Sequence, residues 1–437
     1  MLDPPDPARQ SLTAPEGPQR EPTLLIEEAT PAAPAPLACH HCGALHVRPA
    51  LPAHSVATCR LCGLFLAAAR PHGVEHALAL HLGAAVAWLV AHVFPLITIS
   101  IQGQTMTATL ITGVRALFDA GLGPLAVACV MFVSVFPGLR ILLGIAALLA
   151  AAGARPSPAA RLAFKMVRLQ GPWSMLEIYL LGIVVSYVKL MSYADIAIGP
   201  AALALVAAIL LLSRADVALD GEEVWRRIGR PSGNTAPPPG PRVACHDCGL
   251  VTAAGAGRCP RCDAALHRRK RHSLQRTWAL LIAALILYIP ANTYPMMVVN
   301  QFGQSYPGTI IGGVVDLVAL GDWPVAAIIF IASVLVPILK FLALGWLLAS
   351  VHFGSRLGLR RKTQLYAAVE WIGRYSMVDV FVVAILAGVV QVGGIFAIEP
   401  GVGALAFCGV VVLTMLAAMS FDPRLLWDAA GNADERV

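Results

Sequence analysis

The feature that most constrains this chain is that its sequence is written twice. Each half of the 437 residues opens with two Cys-x-x-Cys motifs and continues into a block of long apolar segments. The cysteines of these motifs are Cys39, Cys42, Cys59 and Cys62 in the first half and Cys245, Cys248, Cys259 and Cys262 in the second. Such an internal repeat indicates duplication and fusion, so both halves are expected to share one fold with one metal site each.

The correspondence between the two apolar blocks can be read from the numbering. Matched residues lie 200 positions apart in the first part of each block and 202 positions apart in the second. The matched pairs include Pro95 and Pro295, Gly113 and Gly313, Pro137 and Pro337, Arg140 and Lys340, Ser174 and Ser376, and Glu177 and Asp379. Each residue of one half can therefore be compared with a single counterpart in the other.

The composition is that of a membrane protein. Hydrophobic residues make up 57% of the chain, charged residues only 13%, and the mean hydropathy is +0.71. A bilayer core of about 30 Å needs about 20 apolar residues per helix. We predict eight transmembrane helices, at 76–98, 123–151, 174–197, 199–214, 276–299, 324–350, 376–398 and 401–420.

The predicted architecture is an all-α polytopic membrane protein with two tandem repeats. Each repeat is a small cytoplasmic four-cysteine zinc ribbon followed by a four-helix transmembrane module. The ribbons are expected at 37–70 and 243–268, and the modules at 71–230 and 269–430. The polar, proline-rich stretches at 1–36 and 231–242 are predicted to be disordered, and 431–437 forms a tail.

The basic residues predict the orientation. Arg and Lys concentrate before the first helix of each half, between the second and third, and after the fourth. The opposite loops, 99–122 and 300–323, contain a single basic residue, Arg115. The positive-inside rule therefore places both termini and both ribbons in the cytoplasm. The net charge of +7 follows from loops that face an anionic leaflet, so it does not indicate nucleic-acid binding.

The paired Cys-x-x-Cys motifs indicate metal binding, because disulfides rarely persist in the reducing cytoplasm. Four thiolates at this spacing suit a tetrahedral ion, and the expected cofactors are two Zn²⁺, one per ribbon. Iron in a redox centre and thiol–disulfide exchange are alternatives. Three histidines beside the motifs could replace a thiolate: His40, His41 and His246. Three glycines follow second cysteines, where a knuckle turn favours positive φ: Gly43, Gly63 and Gly249.

The third predicted helix of each half carries charges, which cost about 2.5 to 3.5 kcal/mol near the centre of a transmembrane helix. Glu177 and Asp379 lie in the first turn of these helices, where a cytoplasmic interface and an N-cap serine provide a purely structural alternative. Lys189 lies roughly 22 Å beyond Ser174, where it either snorkels outward or pairs with Asp195 or with a group on the other half. The candidate residues for a transport pathway or proton coupling are Ser174, Glu177, Lys189, Ser192, Asp195, Ser333, Ser376 and Asp379.

The second helices share a proline in mid-helix. Pro137 and Pro337 remove a backbone hydrogen bond and free carbonyl groups near Val133 and Ser333, so they are candidate hinges. Arg140 and Lys340 follow one turn later. We expect a packing kink with both cations snorkelling to the cytoplasmic interface, and a hinge beside a cavity is the alternative.

These motifs resemble the paraquat-inducible protein A family. The resemblance rests on Ser-Met-Val-Asp-Val-Phe at 376–381, Phe-Asp-Pro-Arg at 421–424 with Trp427, Asn-Thr-Tyr-Pro-Met at 292–296, and the doubled Cys-x-x-Cys ribbons. It covers roughly residues 38–430, and the first half is the more diverged.

The resemblance implies an inner-membrane protein of a Gram-negative envelope that works with a periplasmic tunnel protein of the mammalian-cell-entry (MCE) family. Such a protein would pass phospholipids or other lipophilic molecules between the inner membrane and that partner. The alternatives are a non-transporting anchor for the tunnel and a metal–thiolate redox membrane protein. The sequence contains no Gly-x-x-x-x-Gly-Lys-Ser/Thr loop, so we expect no ATPase or other enzymatic activity. The energy source stays open; if transport is driven, protonation of Glu177, Asp379 or a network around Lys189 by the membrane proton gradient is the simplest mechanism.

Overall fold

The computed structural model describes residues 36–47, 51–52, 55–70, 73–101, 104–154, 156–191, 195–230, 240–301, 304–319, 321, 323–389, 391–392 and 396–431. Of the three segments predicted to be tail or linker, 1–36, 231–242 and 431–437, all but a few residues lie outside these ranges.

The first half alternates short strands with helices. Its elements are β1 Pro36–Ala38, β2 Leu45–Val47, β3 Val56–Thr58, β4 Phe65–Ala68, α1 Gly73–Val93, β5 Ile97–Ile101, β6 Gln104–Ala108, α2 Thr112–Asp119, α3 Gly123–Val130, α4 Phe136–Ala152, α5 Pro158–Gln170, α6 Leu176–Leu190, β7 Asp195–Ile198, α7 Pro200–Ala218 and α8 Gly221–Ile228.

The second half repeats this order. Its elements are β8 Arg242–Ala244, β9 Val251–Ala253, α9 Ser273–Thr293, β10 Met297–Gln301, β11 Gln304–Gly308, α10 Ile310–Ala319, α11 Trp323–Phe330, α12 Val336–His352, α13 Leu359–Ile372, α14 Val378–Val389, β12 Gln391–Val392, β13 Phe396–Pro400, α15 Val402–Ser420 and α16 Arg424–Ala429.

Eight helical segments of the described chain are long and apolar enough to cross a membrane, which confirms the predicted number. They are Gly73–Val93, Gly123–Ala152, Pro158–Val188, Pro200–Ala218, Ser273–Thr293, Ala326–His352, Leu359–Val389 and Val402–Ser420.

The predicted third spans, 174–197 and 376–398, correspond to α6 and α14, and each is preceded by a basic helix, α5 or α13, with which it forms one helical segment of 31 residues. Short 3₁₀ segments, Gly171–Trp173 and Gly373–Met377, join α5 to α6 and α13 to α14. Most of the basic residues between the second and third predicted spans therefore belong to α5 and α13 rather than to a loop. Both helices contact a ribbon.

The segments after the first spans form small sheets rather than the extended loops expected from the sequence. β5 pairs with β6 and β7 in the first half, and the second half has the order β11-β10-β13-β12. Ile97 and Ile99 are buried and Thr98 between them is partly exposed, which is the alternation expected of a half-buried strand. These sheets lie at the end of the module opposite the ribbons, which we call the far face; the ribbons mark the ribbon face.

The first and fourth spans of each half give the thickness of the apolar layer. They pack antiparallel, with Gly73 against the carbonyl of Ala218 at the ribbon face and Gly199 against that of Pro95 at the far face. The 21 residues of α1 correspond to about 31 Å, which matches a bilayer core. The third helical segments have 31 residues, or about 46 Å, and so extend beyond this layer, with α5 and α13 on the side of the ribbons. At the far face α14 packs on β13 and β6.

The two halves meet along α6 and α14. The rings of the matched residues Tyr179 and Phe381 cross edge to face with centroids 5.5 Å apart. Gly182 lies against the side chain of Phe381, so the helices approach closely. Every residue of α14 except Asp379 and Gly388 is buried, which makes this helix the centre of the molecule.

Each ribbon docks on the membrane module of the other half. The cysteines of the first ribbon share a cluster with Leu344 and Trp427, and the amide of Gln364 donates to the carbonyl of Cys62 at 3.3 Å. The cysteines of the second ribbon cluster with Phe164 and Trp225 of the first half, and Lys165 pairs with Asp247 at 2.8 Å. The ribbons therefore cross over between the halves.

Candidate metal centres and transmembrane polar site

The eight predicted cysteine ligands form two compact clusters. Within each, the four Sγ atoms all lie within 4.8 Å of one another. The closest sulfur pairs are Cys39–Cys62 at 3.6 Å, Cys42–Cys59 at 3.5 Å, Cys245–Cys262 at 3.5 Å and Cys248–Cys259 at 3.5 Å. A tetrahedral ion with metal–sulfur bonds of about 2.3 Å separates its sulfurs by about 3.8 Å, so both clusters fit one metal ion each.

The knuckle turns behave as the sequence predicts. Gly43, Gly63 and Gly249 have φ of 75°, 77° and 73°, and each donates its N–H to the carbonyl of the cysteine four residues earlier. The fourth turn has Asp263 at φ 66°, since aspartate tolerates the left-handed region better than most residues. These turns aim both sulfurs of a motif at one point.

Hydrogen bonds among the thiols lower the pKa of some of them, which favours metal binding. Hydrogen bonds from Cys42 and then Cys62 hold the pKa of Cys39 well below its ordinary value. Hydrogen bonds from Cys245 and Cys248 do the same for the pKa of Cys259. The direction of these shifts favours the thiolate, which is the form that binds metal. The nearby Nε2 of His46 lies 3.3 Å from the Cys59 sulfur.

A second polar site lies inside the membrane block of the second half. Lys340 is 3% exposed, and its ammonium donates to the hydroxyl of Thr414 at 2.7 Å and to the carbonyl of Gly373 at 3.2 Å. Thr414 lies six residues before the ribbon-face end of α15, about 9 Å into the apolar layer. The expectation that Lys340 snorkels to the interface is therefore wrong, because α13 and α15 cover it.

Asp379 and Ser333 continue this site toward the far face. The hydroxyl of Ser333 donates to the carboxylate of Asp379. Asp379 follows Gly373 by six residues, about 9 Å along the span. Between them Ser376 is 1% exposed, and its hydroxyl has no hydrogen-bond partner among the described residues. We call Ser333, Lys340, Ser376, Asp379 and Thr414 the polar track.

The position of Ser333 follows from the mid-helix prolines. The backbone is π-helical over Met131–Val135 and Ile331–Leu335, just before Pro137 and Pro337, because proline lacks the N–H that would continue the regular ladder. In the second half this wider turn contains Ser333, the partner of Asp379.

The first half does not assemble an equivalent track. Val133 and Leu212 occupy the positions of Ser333 and Thr414, so two of its hydroxyl groups are missing. Arg140 pairs instead with Asp216, whose side chain is 57% exposed. Among the described residues, the buried pair of Lys340 and Thr414 therefore has no counterpart at the matched positions of the first half.

The halves also differ at the far face. Gly113 of α2 packs directly against the backbone of Ala384 and Gly388 on α14. Its counterpart Gly313 has no atom within 4 Å of the position a β-carbon would take, among the described residues. α2 therefore closes on the opposite half, and α10 makes no comparable contact with α6 in the described chain.

This difference leaves an apolar stripe uncovered on α6. Leu181 and Val184 are 38% and 51% exposed, whereas their counterparts Val383 and Leu386 on α14 are 1% and 3% exposed. Exposed apolar side chains of α10 and α11 in the second half are Ile311, Val315, Val318 and Trp323. We call Leu181 and Val184 the α6 stripe.

Comparison with known proteins identifies the repeat. The family model described as paraquat-inducible protein A matches twice, at residues 74–229 and 274–431. Together these matches cover most of the chain. The chain belongs to the paraquat-inducible protein A family.

Relatives in the family extend over both halves. The chain is 36% identical over 398 residues to the intermembrane transport protein PqiA of Escherichia coli strain K12, which covers 89% of this chain and 95% of that protein. It is 40% identical over 265 residues to the lipophilic envelope-spanning tunnel protein A of the same strain, covering 60% and 61%. A probable intermembrane transport protein of Haemophilus influenzae is 31% identical over 262 residues, covering 58% and 63%. No solved structure matches significantly.

The structure shows where the candidate residues for transport or proton coupling lie. Ser333, Ser376 and Asp379 lie in the polar track, where the two serines are buried and Asp379 is half-buried. Ser174 does not cap α6, whose N-cap residue is Met175 without a side-chain hydrogen bond, and Glu177 is half-buried in the first half. Ser192 lies outside the described residues, as do the side chains of Lys189 and Asp195.

Sequence reasoning missed Thr414 and the burial of Lys340. Thr414 is a single hydroxyl in an apolar helix, which by itself reads as an ordinary helix residue. The signal that identifies it is the repeat, since Leu212 stands at the matched position of the first half. Comparing polar differences between the copies, rather than polar similarities, would have found it.

Proposed function

We propose that this protein passes phospholipid or another lipophilic molecule between the inner membrane and a periplasmic MCE-family tunnel protein, without enzymatic activity of its own. The names of its relatives support intermembrane transport. The distribution of basic residues supports a cytoplasmic ribbon face and a periplasmic far face.

The observation that carries this proposal is the α6 stripe, Leu181 and Val184. These side chains are exposed, whereas the matched residues of α14 are buried. An exposed apolar patch is a place where lipid chains or an apolar partner can bind. A lipid leaving the outer leaflet can keep its chains against this stripe on the way to the partner.

The polar track supports proton coupling as the driving force. Ionisable side chains inside a membrane block are costly and mark proton relays or transport pathways by default. Asp379 lies about 9 Å along the chain from Gly373, whose carbonyl accepts from Lys340, and the hydroxyl of Ser376 between them has no partner among the described residues. The first half lacks this arrangement, so we assign coupling to the second half.

The two ions are proposed to be zinc, bound by Cys39, Cys42, Cys59 and Cys62 and by Cys245, Cys248, Cys259 and Cys262. An all-thiolate tetrahedral set is typical of closed structural zinc sites. Bound zinc would hold each small ribbon folded, since a two-hairpin unit of this size has little core of its own.

Native mass spectrometry with lipid extraction tests the proposal. We expect co-purified phospholipid with the parent protein, and an occupancy that changes between pH 6 and pH 8. Val184→Trp should change the occupancy by altering the α6 stripe, whereas Val86→Trp on the exposed face of α1 should not. Asp379→Asn should abolish the pH dependence, and Glu177→Gln should retain it.

The alternatives predict different outcomes. A non-transporting anchor would show no lipid beyond bulk membrane lipid in any variant, with binding to an MCE protein intact. A metal–thiolate redox protein would absorb visible light through iron–thiolate bonds, whereas zinc gives a colourless protein.

A further inference from the structure

A cavity of about 230 Å³ reaches Lys340 from the ribbon face. Its walls come from α12, α13 and α15 of the second half, from Pro172 of the first half and from His41 of the first ribbon. Met415, Ala418 and Met419 line it along α15, so it follows that helix from Thr414 to its ribbon-face end. We call this cavity the vestibule.

The vestibule connects the buried end of the polar track with the surface. Lys340 and Gly373, which share a hydrogen bond, lie in its inner wall. Glu370 and Trp371 in its wall are exposed, so the cavity opens to the surface on their side. The ammonium of Lys340 is therefore covered by protein on the far-face side and faces a cavity on the ribbon side.

The vestibule is suited to hold water. A water molecule needs a cavity volume of roughly 10 to 15 Å³ and two to four polar partners. The vestibule is many times larger, and its polar and charged wall groups are Lys340, Glu370, Arg374, His41 and the carbonyl of Gly373. An ammonium group that makes two hydrogen bonds to protein has a third proton to donate, and water in the vestibule can accept it.

We propose that the vestibule is a water-filled path by which protons exchange between the cytoplasm and Lys340. This rests on the proposed proton coupling and adds its route: cytoplasmic access ends at Lys340, and Asp379 lies beyond it toward the periplasm. The step is a proton transfer between water and the Lys340 amine, and it needs no other reactant.

Thiol accessibility tests the route. Met415 is 7% exposed and lines the vestibule, whereas Cys408, on the same helix, is 5% exposed and does not line it. We would introduce Met415→Cys and label inside-out and right-side-out vesicles with a charged, membrane-impermeant methanethiosulfonate. Peptide-resolved mass spectrometry would follow positions 415 and 408 separately, so the ribbon cysteines do not interfere.

We expect the thiol at position 415 to react at least tenfold faster than Cys408 when the reagent is added to the ribbon face, and not from the far face. Equal rates at the two positions, or faster reaction from the far face, would overturn the vestibule as the access path.

A filling variant separates this inference from the proposed function. Ala367→Phe should block labelling at position 415 while leaving the metal content at the parental value. If labelling occurs as expected but Asp379→Asn leaves the pH dependence of lipid occupancy unchanged, proton coupling fails and the accessible cavity stands. If Asp379→Asn abolishes that dependence but position 415 is protected, coupling stands and this route fails.

Discussion

Lys340 and Arg140 show how one position in a repeated fold acquires two different roles. Both follow the mid-helix proline by three residues. Lys340 finds Thr414 and the carbonyl of Gly373 and stays buried, whereas Arg140 reaches an exposed carboxylate on Asp216. The side chain's partner, rather than its charge, decides whether it lies in the membrane interior or at the surface.

Replacing these two cations should therefore separate function from stability. We expect Lys340→Met to abolish the pH dependence of lipid occupancy, because it removes the ionisable end of the polar track. The midpoint of thermal unfolding should stay within a few degrees, since an apolar side chain of similar length replaces a buried charge without leaving a cavity.

The matched change Arg140→Met is the control. It removes a partly exposed ion pair, which contributes about 0 to 1 kcal/mol, and should leave both properties near parental values. Loss of the pH dependence in Arg140→Met, or its retention in Lys340→Met, would contradict the assignment of coupling to the second half.

At the scale of elements, α2 and α10, the helices that follow the far-face hairpins, pack differently. α2 closes on α14 through Gly113, and α10 stands away from α6 with Gly313 facing open space among the described residues. Ser186 of α6 occupies the position of Gly388, whose lack of a side chain permits the close approach to Gly113. A single added side chain at the matched site is thus sufficient to explain why only one side closes.

A pair of glycine substitutions tests this difference. A β-carbon at Gly113 would meet the carbonyl of Ala384, so Gly113→Ala should destabilise the protein by roughly 1 to 3 kcal/mol through overpacking. Gly313→Ala should leave the unfolding midpoint nearly unchanged. Thermal unfolding in detergent would compare them, and equal effects of both substitutions would show that α10 packs as α2 does.

At the scale of the whole molecule, the crossed ribbons tie the two halves together. The first ribbon contacts the second half through Gln364 and through Arg424, whose Nε donates to the carbonyl of His40 at 3.3 Å. The second ribbon contacts the first half through Lys165 and Arg168, both directed at Asp247. Unfolding one ribbon should therefore affect the half to which it is not directly fused.

Hydrogen–deuterium exchange would detect this crossed effect. Cys42→Ser should lower the metal content from two ions to one per chain and raise exchange in α13 and α16 of the second half. Cys248→Ser should lower the metal content equally and raise exchange in α5 and α8 of the first half. Increased exchange confined to the half fused to the altered ribbon would rule out crossed support.

Much of the fold followed from local sequence. The number of spans, the two four-cysteine sets and the positive φ at Gly43, Gly63 and Gly249 depend on segments of a few to about 20 residues, whose hydrophobicity and spacing are directly readable. Helices α5 and α13 were missed for the same reason. Basic side chains on α5 and α13 resemble a surface loop unless the docked ribbons are known.

By itself, the sequence determined that this protein is a duplicated eight-span membrane protein with two thiolate sites, because hydrophobic length and ligand spacing act locally. Only the tertiary structure decided which half holds the buried site and which side stays open. Lys340 meets a partner 74 residues away, and Gly113 meets a carbonyl in the other half. Such contacts depend on how distant helices pack, so matched residues with the same local sequence context can end in different environments.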